Sequence, residues 1–238
     1  MRNTLAITVR EIQAYFVSPI AYIFTAAFLI ITSIFFAWYI SDPRGSEATM
    51  RYMFSPMTTL FLFISPMLTM RLLAEEQRSG TIELLLTSPV RDWEVVLGKY
   101  LGSIVMVLVI LGLTLYYPFV MFRYGNPDLG PIVSGYLGLF LLTACLLALG
   151  LLASSLTQNQ IVAVIIGLGL GLVFWIAEAI ADFVGGPLAA VFRAISLRPH
   201  FPDFASGIIE TQAVIFYLTF IAAVLFLTTR SLESRRWR

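Results

Sequence analysis

Residues 20–40 read IAYIFTAAFLIITSIFFAWYI, a run without a single charged side chain. A helix of about 20 residues crosses the roughly 30 Å of bilayer hydrocarbon, and it satisfies its own backbone donors and acceptors where no water can do so. The stretch therefore decides the solvent in which the chain folds. Composition agrees along the whole length. Of 238 residues, 59% are hydrophobic and 12% charged, against about 25% charged in an ordinary soluble domain. A water-soluble fold is excluded, and the chain is expected to be one all-α membrane-spanning domain over residues 1–238.

Upstream of the run, residues 4–16 place Leu5, Val9, Ile12 and Phe16 at helical spacing against Arg2, Thr8, Glu11 and Tyr15, which predicts a helix lying in the membrane interface. Arg2, Arg10, Glu11 and Gln13 interrupt any secretory-signal core, so no cleavage is expected. Downstream, residues 53–70 form a second uncharged span that contains Pro56 and Pro66 and is expected to kink or tilt. Residues 100–122, 132–153, 161–181 and 212–229 supply four more, with residues 20–40 as the first of six.

Basic residues are retained on the cytoplasmic side, so summing them over alternate connections gives the topology. With the N-terminus inside, Arg2, Arg10, Arg71, Arg78, Arg91, Lys99, Arg230, Arg235, Arg236 and Arg238 lie inside, and Arg44, Arg51, Arg123, Arg193 and Arg198 outside. Both termini are expected in the cytoplasm, with Trp237 and its arginine neighbours as an interface anchor. The net charge of +1 supplies no field for nucleic acid.

Two connections exceed simple turns. Residues 71–98, inside, carry Ile82, Leu85 and Leu86 as an apolar face beside Glu75, Glu76, Arg78 and Glu83, punctuated by Gly80 and Pro89. The pattern predicts a short amphipathic helix, with Asp92 as N-cap of the third span. Residues 182–211, outside, are too apolar for a free loop: Phe183, Val184, Leu188, Val191, Phe192 and Ile195 flank Gly185, Gly186 and Pro187. A re-entrant or surface-lying helical hairpin over residues 185–207 is expected, with Phe192, Phe201 and Phe204 turned into protein or lipid. His200 there reads as a hydrogen-bonded structural residue, since no second metal ligand lies near it in sequence.

An ATPase would need a glycine loop with Lys followed by Ser or Thr to cradle phosphates and hold magnesium. The single lysine, Lys99, stands in Gly98-Lys99-Tyr100 at the head of a span and has neither the hydroxyl nor the upstream glycine. No ATP or other cofactor is expected on this chain. One His and one Cys give neither a metal cluster nor a hydrolytic base, and Cys145 reads as a buried small hydrophobe. Glu178 and Asp182 share a helix face near the end of the fifth span, where simple solvation and a polar vestibule are both open readings. Gly167 and Gly171, four apart, predict close helix packing.

The segment Pro66-Met67-Leu68-Thr69-Met70-Arg71, then Ala74-Glu75-Glu76-Gln77-Arg78-Ser79-Gly80-Thr81-Ile82-Glu83-Leu84-Leu85-Leu86-Thr87-Ser88-Pro89-Val90, then Val96-Leu97-Gly98-Lys99-Tyr100 resembles the signature region of ABC type-2 permeases. Within that family the chain is most similar to the gliding-motility-associated (Gld-type) permeases, with the nitrous-oxide-reductase maturation (Nos-type) permease a near relative. Ser18-Pro19-Ile20, Ser196-Leu197, His200-Phe201, Phe204, Gly207, Thr211 and Leu227-Thr228 agree. The resemblance implies a six-helix exporter fold in the inner membrane, with an elbow helix before span one and a cytoplasmic coupling helix made by Glu75, Glu76, Arg78, Gly80, Thr81, Ile82, Glu83, Leu85, Leu86 and Pro89. It further implies a second permease protomer, identical or not, and separate ABC ATPase subunits that carry ATP and magnesium. An extracytoplasmic accessory protein is one recipient of the motion. The competing functions are a carrier independent of ATP, which would need polar groups inside the spans, an intramembrane enzyme, which would need a catalytic constellation, and a membrane anchor or assembly subunit.

Overall fold

A computed structural model describes residues 2–41, 49–81 and 90–235, and among these it contains eleven helices and no strand. In chain order they are α1 (Arg2–Val17), α2 (Pro19–Ser41), α3 (Arg51–Thr69), α4 (Arg71–Arg78), α5 (Asp92–Thr114), α6 (Tyr116–Tyr124), α7 (Leu129–Leu156), α8 (Gln160–Val184), α9 (Gly186–Ile195), α10 (Phe201–Ala205) and α11 (Thr211–Arg235). Six helical stretches are long and apolar enough to cross a membrane: Pro19–Ser41, Arg51–Arg78, Asp92–Tyr124, Leu129–Leu156, Gln160–Val184 and Thr211–Ser234.

The spans are longer than the charge-free runs because helix continues past the hydrocarbon. The second runs on from α3 into α4, and the third starts eight residues before Tyr100 and is broken at Leu115. The N-cap of α5 is Arg91 rather than Asp92: Arg91 has extended backbone, and the Glu94 carboxylate accepts its N–H at 3.2 Å. Asp92 is the first helical residue, where an acidic group still favours the positive end of the helix dipole.

α7 forms the axis of the bundle. It packs against α3, α4, α5, α8, α10 and α11, and the reason lies in its small residues. A Cβ at Gly135 would collide with the Phe54 ring, one at Gly138 would stand 2.6 Å from the Phe204 side chain, and one at Gly150 would strike the Thr69 hydroxyl with the Pro66 Cα only 3.3 Å away. Lipid tails are as apolar as leucine, so helix association in a bilayer rests on close packing of this kind. The outer helices are different. α2, α8 and α11 expose Ile23, Ile34, Ile165, Ile176, Ile215 and Phe226, side chains suited to lipid.

The glycine contacts give a direct test. Gly150→Ala pushes against backbone as well as side chain and is expected to cost about 1–3 kcal/mol, the usual penalty for overpacking. Gly112→Ala, on α5 with nothing within 4 Å of its Cβ position, should leave the thermal midpoint in detergent near that of the parent. Equal midpoints for both variants would contradict the packing of α7 on α3.

Candidate functional site

At the end of the bundle where α1 begins and α11 finishes, polar side chains from distant parts of the sequence converge. On α1, Thr4, Thr8, Glu11 and Tyr15 recur at helical spacing and are all buried, whereas Leu5, Val9 and Phe16 are exposed. The amphipathic helix therefore lies with its polar stripe toward protein and its apolar side outward. Its partner surface is the first three turns of α5, where Gly98 and Gly102 admit Ile7 and Glu11 so closely that added Cβ atoms would come within 2.8 Å and 2.7 Å. The Thr8 hydroxyl is 2.9 Å from the Thr4 carbonyl and 3.1 Å from that of Gly98, to one of which it donates at a time.

One turn deeper is the charge that the stripe surrounds. Lys99 Nζ stands 2.8 Å from Glu76 Oε1 and 3.4 Å from Glu11 Oε2, its side chain 4% exposed. A lysine so placed is tolerable only because two carboxylates accompany it. The three residues join α1, α4 and α5. Beside them Tyr15 donates from its hydroxyl to the Leu68 carbonyl at 2.7 Å, and the Arg71 guanidinium lies 4.6 Å over the Tyr15 ring. Burial raises the Tyr15 hydroxyl above its ordinary pKa, so it stays a donor.

α4 is also clamped to the axis helix. Between α3 and α4 the chain passes through Met70, and there the Ser154 hydroxyl of α7 donates to the Met70 carbonyl at 2.9 Å while accepting from the Leu73 and Ala74 N–H groups at 3.1 and 3.0 Å. A hydroxyl inserted into the backbone ladder accounts for the break. Gln77 Nε2 donates to the Ser155 carbonyl at 3.0 Å, and the Ser155 and Ser231 hydroxyls are 3.1 Å apart, which ties in α11.

Of the residues expected to form the coupling element, Glu75, Arg78, Gly80 and Thr81 are exposed, and Gly80 adopts φ of 70°, a left-handed turn at the end of α4 suited to glycine. Arg78 faces an open groove with Thr157, Gln158 and Asn159. Glu76 departs from expectation: it is the half-buried partner of Lys99, not a surface charge. Ile82, Glu83, Leu85, Leu86 and Pro89, with the helix expected over them, lie outside the described residues, as do Arg44 and the tail from Arg236. Glu11, Lys99, Ser154 and Gln77 were not singled out by sequence reasoning. A signal for Lys99 exists, since a lone cation at the head of an apolar span requires a buried partner.

Gly167 and Gly171 face into the chain. The Cβ position of Gly167 is 3.2 Å from the Pro66 side chain and 3.4 Å from Ala153, and that of Gly171 is 3.0 Å from Leu62, so both meet α3 and α7. At the opposite end of the bundle, Gly185 and Gly186 turn the chain at positive φ from α8 into α9. α9 packs back on α8, and α10 on α7. Phe201 and Phe204 are buried and Phe192 is half-buried. The Ser134 hydroxyl donates to the Phe204 carbonyl at 2.6 Å. His200 stacks on Phe216 with centroids 4.3 Å apart, and its buried Nδ1 has no hydrogen-bond partner among the described residues, so ring stacking is the contact that places it. Glu178 is exposed, while Asp182 accepts from Arg193 of α9 at 2.9 Å.

A family model described as ABC-2 family transporter protein matches residues 39–196, about two thirds of the chain. The chain belongs to the ABC-2 transporter family. No curated protein matches it. As an ABC-2 protein with six apolar spans it is a multi-pass membrane permease of an ABC transporter. The matched stretch begins in α2 and ends just past α9, so it contains the α4 clamp, Lys99 and Ser154, whereas Glu11 comes from the helix before it.

Proposed function

We propose that this ABC-2 permease couples ATP hydrolysis by a separate ATPase subunit to the export or movement of a substrate, and that the ATPase docks on the end of the bundle built by α1, α4 and the start of α5. The observation that supports this most directly is the double anchorage of α4. The helix leads straight into residues 82–89, and it is held to α7 through Ser154 and Gln77 and to α1 and α5 through Lys99. A displacement applied to residues 82–89 therefore reaches three spans at once.

On this reading residues 1–238 act as one permease domain in the inner membrane with both termini cytoplasmic, ATP and magnesium belong to the partner, and a second permease protomer completes the path. The hairpin bearing Phe192, His200, Phe201 and Phe204 caps the exit, and the subfamily is the Gld-type, akin to the Nos-type permeases. The test is reconstitution of the purified chain in proteoliposomes with an ABC ATPase subunit from the same genome. The ATPase is expected to co-purify and its turnover to change several-fold in the presence of the permease. An ATPase that neither associates nor changes its turnover would favour an anchor without ATP coupling.

A further inference from the structure

At the end of the bundle opposite the Lys99 cluster, a cleft of about 290 Å³ opens between α3, α8 and the segment joining α9 to α10. Arg51 and Ser55 and Thr59 line one side of it from successive turns of α3, Arg198 enters from the bend before α10, and Trp175 and Phe201 form aromatic walls. Among the described residues no carboxylate lines the cleft. Arg193 nearby is paired with Asp182 at 2.9 Å, whereas neither Arg51 nor Arg198 has an ion-pair partner among the described residues. Arg51 makes one long hydrogen bond, 3.4 Å to the Ser206 carbonyl, and a guanidinium has five N–H donors. The Thr59 hydroxyl is engaged with the Ser55 carbonyl at 3.1 Å.

We propose that this cleft binds the anionic group of an amphiphile, a carboxylate or phosphate held between Arg51 and Arg198 with its apolar portion against Trp175. Three observations support it. Two unpaired guanidinium groups converge on one cavity, and such groups bind carboxylate and phosphate through directed, charge-assisted hydrogen bonds. The volume stands at the lower end of the ~300–1,000 Å³ typical of small-molecule sites, room enough for a headgroup whose remainder lies outside. Beside Trp175, α8 exposes Leu172 and Ile176, a flank on which such an apolar remainder can lie. The location on a transport path rests on the transporter reading above, in which this end faces away from the cytoplasm. There arginines run against the positive-inside bias, so charge topology does not account for them.

The test uses the full chain in nanodiscs of phosphatidylcholine, titrated calorimetrically with octyl phosphate, inorganic phosphate and octyl glucoside. Octyl phosphate is expected to saturate a single site. Arg51→Gln and Arg198→Gln should each weaken it about tenfold or more, and the double variant should bring it below detection. Trp175→Leu should weaken octyl phosphate as well, and Arg123→Gln, an exposed arginine elsewhere, should change nothing. Thermal midpoints of the variants confirm that they fold, and the single variants decide the matter should the double one not. Exchange of the disc lipid for phosphatidylglycerol displaces octyl phosphate where the anion comes from bilayer lipid and leaves it bound where it comes from a free amphiphile. Parental affinity in the double variant, or octyl glucoside binding as tightly as octyl phosphate, would overturn the site. Inorganic phosphate binding as tightly as octyl phosphate would overturn the amphiphile. Because no ATPase is present, a negative result here leaves the docking proposal standing, and failure of docking leaves this site testable.

Discussion

Lys99→Met is expected to destabilise the permease by about 3–5 kcal/mol, the range for removing one partner of a buried ion pair. The substitution leaves the Glu11 and Glu76 carboxylates together without their shared cation, at a site largely withdrawn from water, and their repulsion pushes the helices apart. Methionine preserves most of the volume, so a cavity contributes little. The companion variant Lys99→Met, Glu11→Gln, Glu76→Gln removes all three charges and should regain most of the loss, because a neutral replacement of a whole buried network is often close to neutral in stability. Unfolding of each variant by detergent titration measures the difference. A single variant as stable as the parent, or a triple variant no better than the single, would show that the cluster is not held together by its charges. The same series separates stability from coupling: a triple variant that folds and binds the ATPase yet no longer alters its turnover would assign the cluster to transmission of the stroke.

How much of this was legible in the sequence follows from the kind of signal each part leaves. The six spans stand out because a run such as residues 20–40 must exclude charge over its entire length, and the spacing of Gly167 and Gly171 reports packing because glycine has few other uses within a lipid-spanning helix. The Lys99 cluster left no such signal. Its members are separated by 65 and 23 residues along the chain, and no local periodicity relates them. Thr8, Glu11 and Tyr15 looked like the wet side of an amphipathic helix, a reading that assumes polar residues seek water. Where the alternative to protein is lipid, a polar stripe is better satisfied by the bundle, and α1 turns accordingly. Ser154 is a hydroxyl in an apolar run, and only the break at Met70 that it fills gives it a purpose. For the cleft, Arg51 and Arg198 stand 147 residues apart along the chain, and only the fold brings them to one cavity.

Leu85→Asp is expected to release the ATPase while leaving the permease inserted and folded. α4 has little left to offer a partner. Its buried side, Leu72, Leu73, Ala74 and Gln77, is spent on the bundle, and Glu76 is spent on Lys99, so neither can serve the partner. What remains is the exposed rim of Glu75, Arg78, Gly80 and Thr81 and the apolar residues that follow in sequence, Ile82, Leu85 and Leu86. Binding energy at protein interfaces concentrates in a few buried hydrophobic or aromatic anchors, while rim charges chiefly set orientation and encounter rate. A carboxylate at the anchor position must be desolvated without a partner, which is enough to lower affinity by two or more orders of magnitude. Glu83→Lys changes only the rim and should slow association and alter its salt dependence with a smaller loss of affinity. Replacing Glu76 with lysine is not an equivalent test, because it would set two ammonium groups against each other in the buried cluster and report on folding. Pull-down of the ATPase and its turnover in proteoliposomes distinguish the cases. If Leu85→Asp retains both at the parental level while the membrane insertion of the two proteins is equal, residues 82–89 do not carry the contact, and the stroke must enter the bundle through another surface, of which the groove beside Arg78, Thr157 and Asn159 is the next to examine.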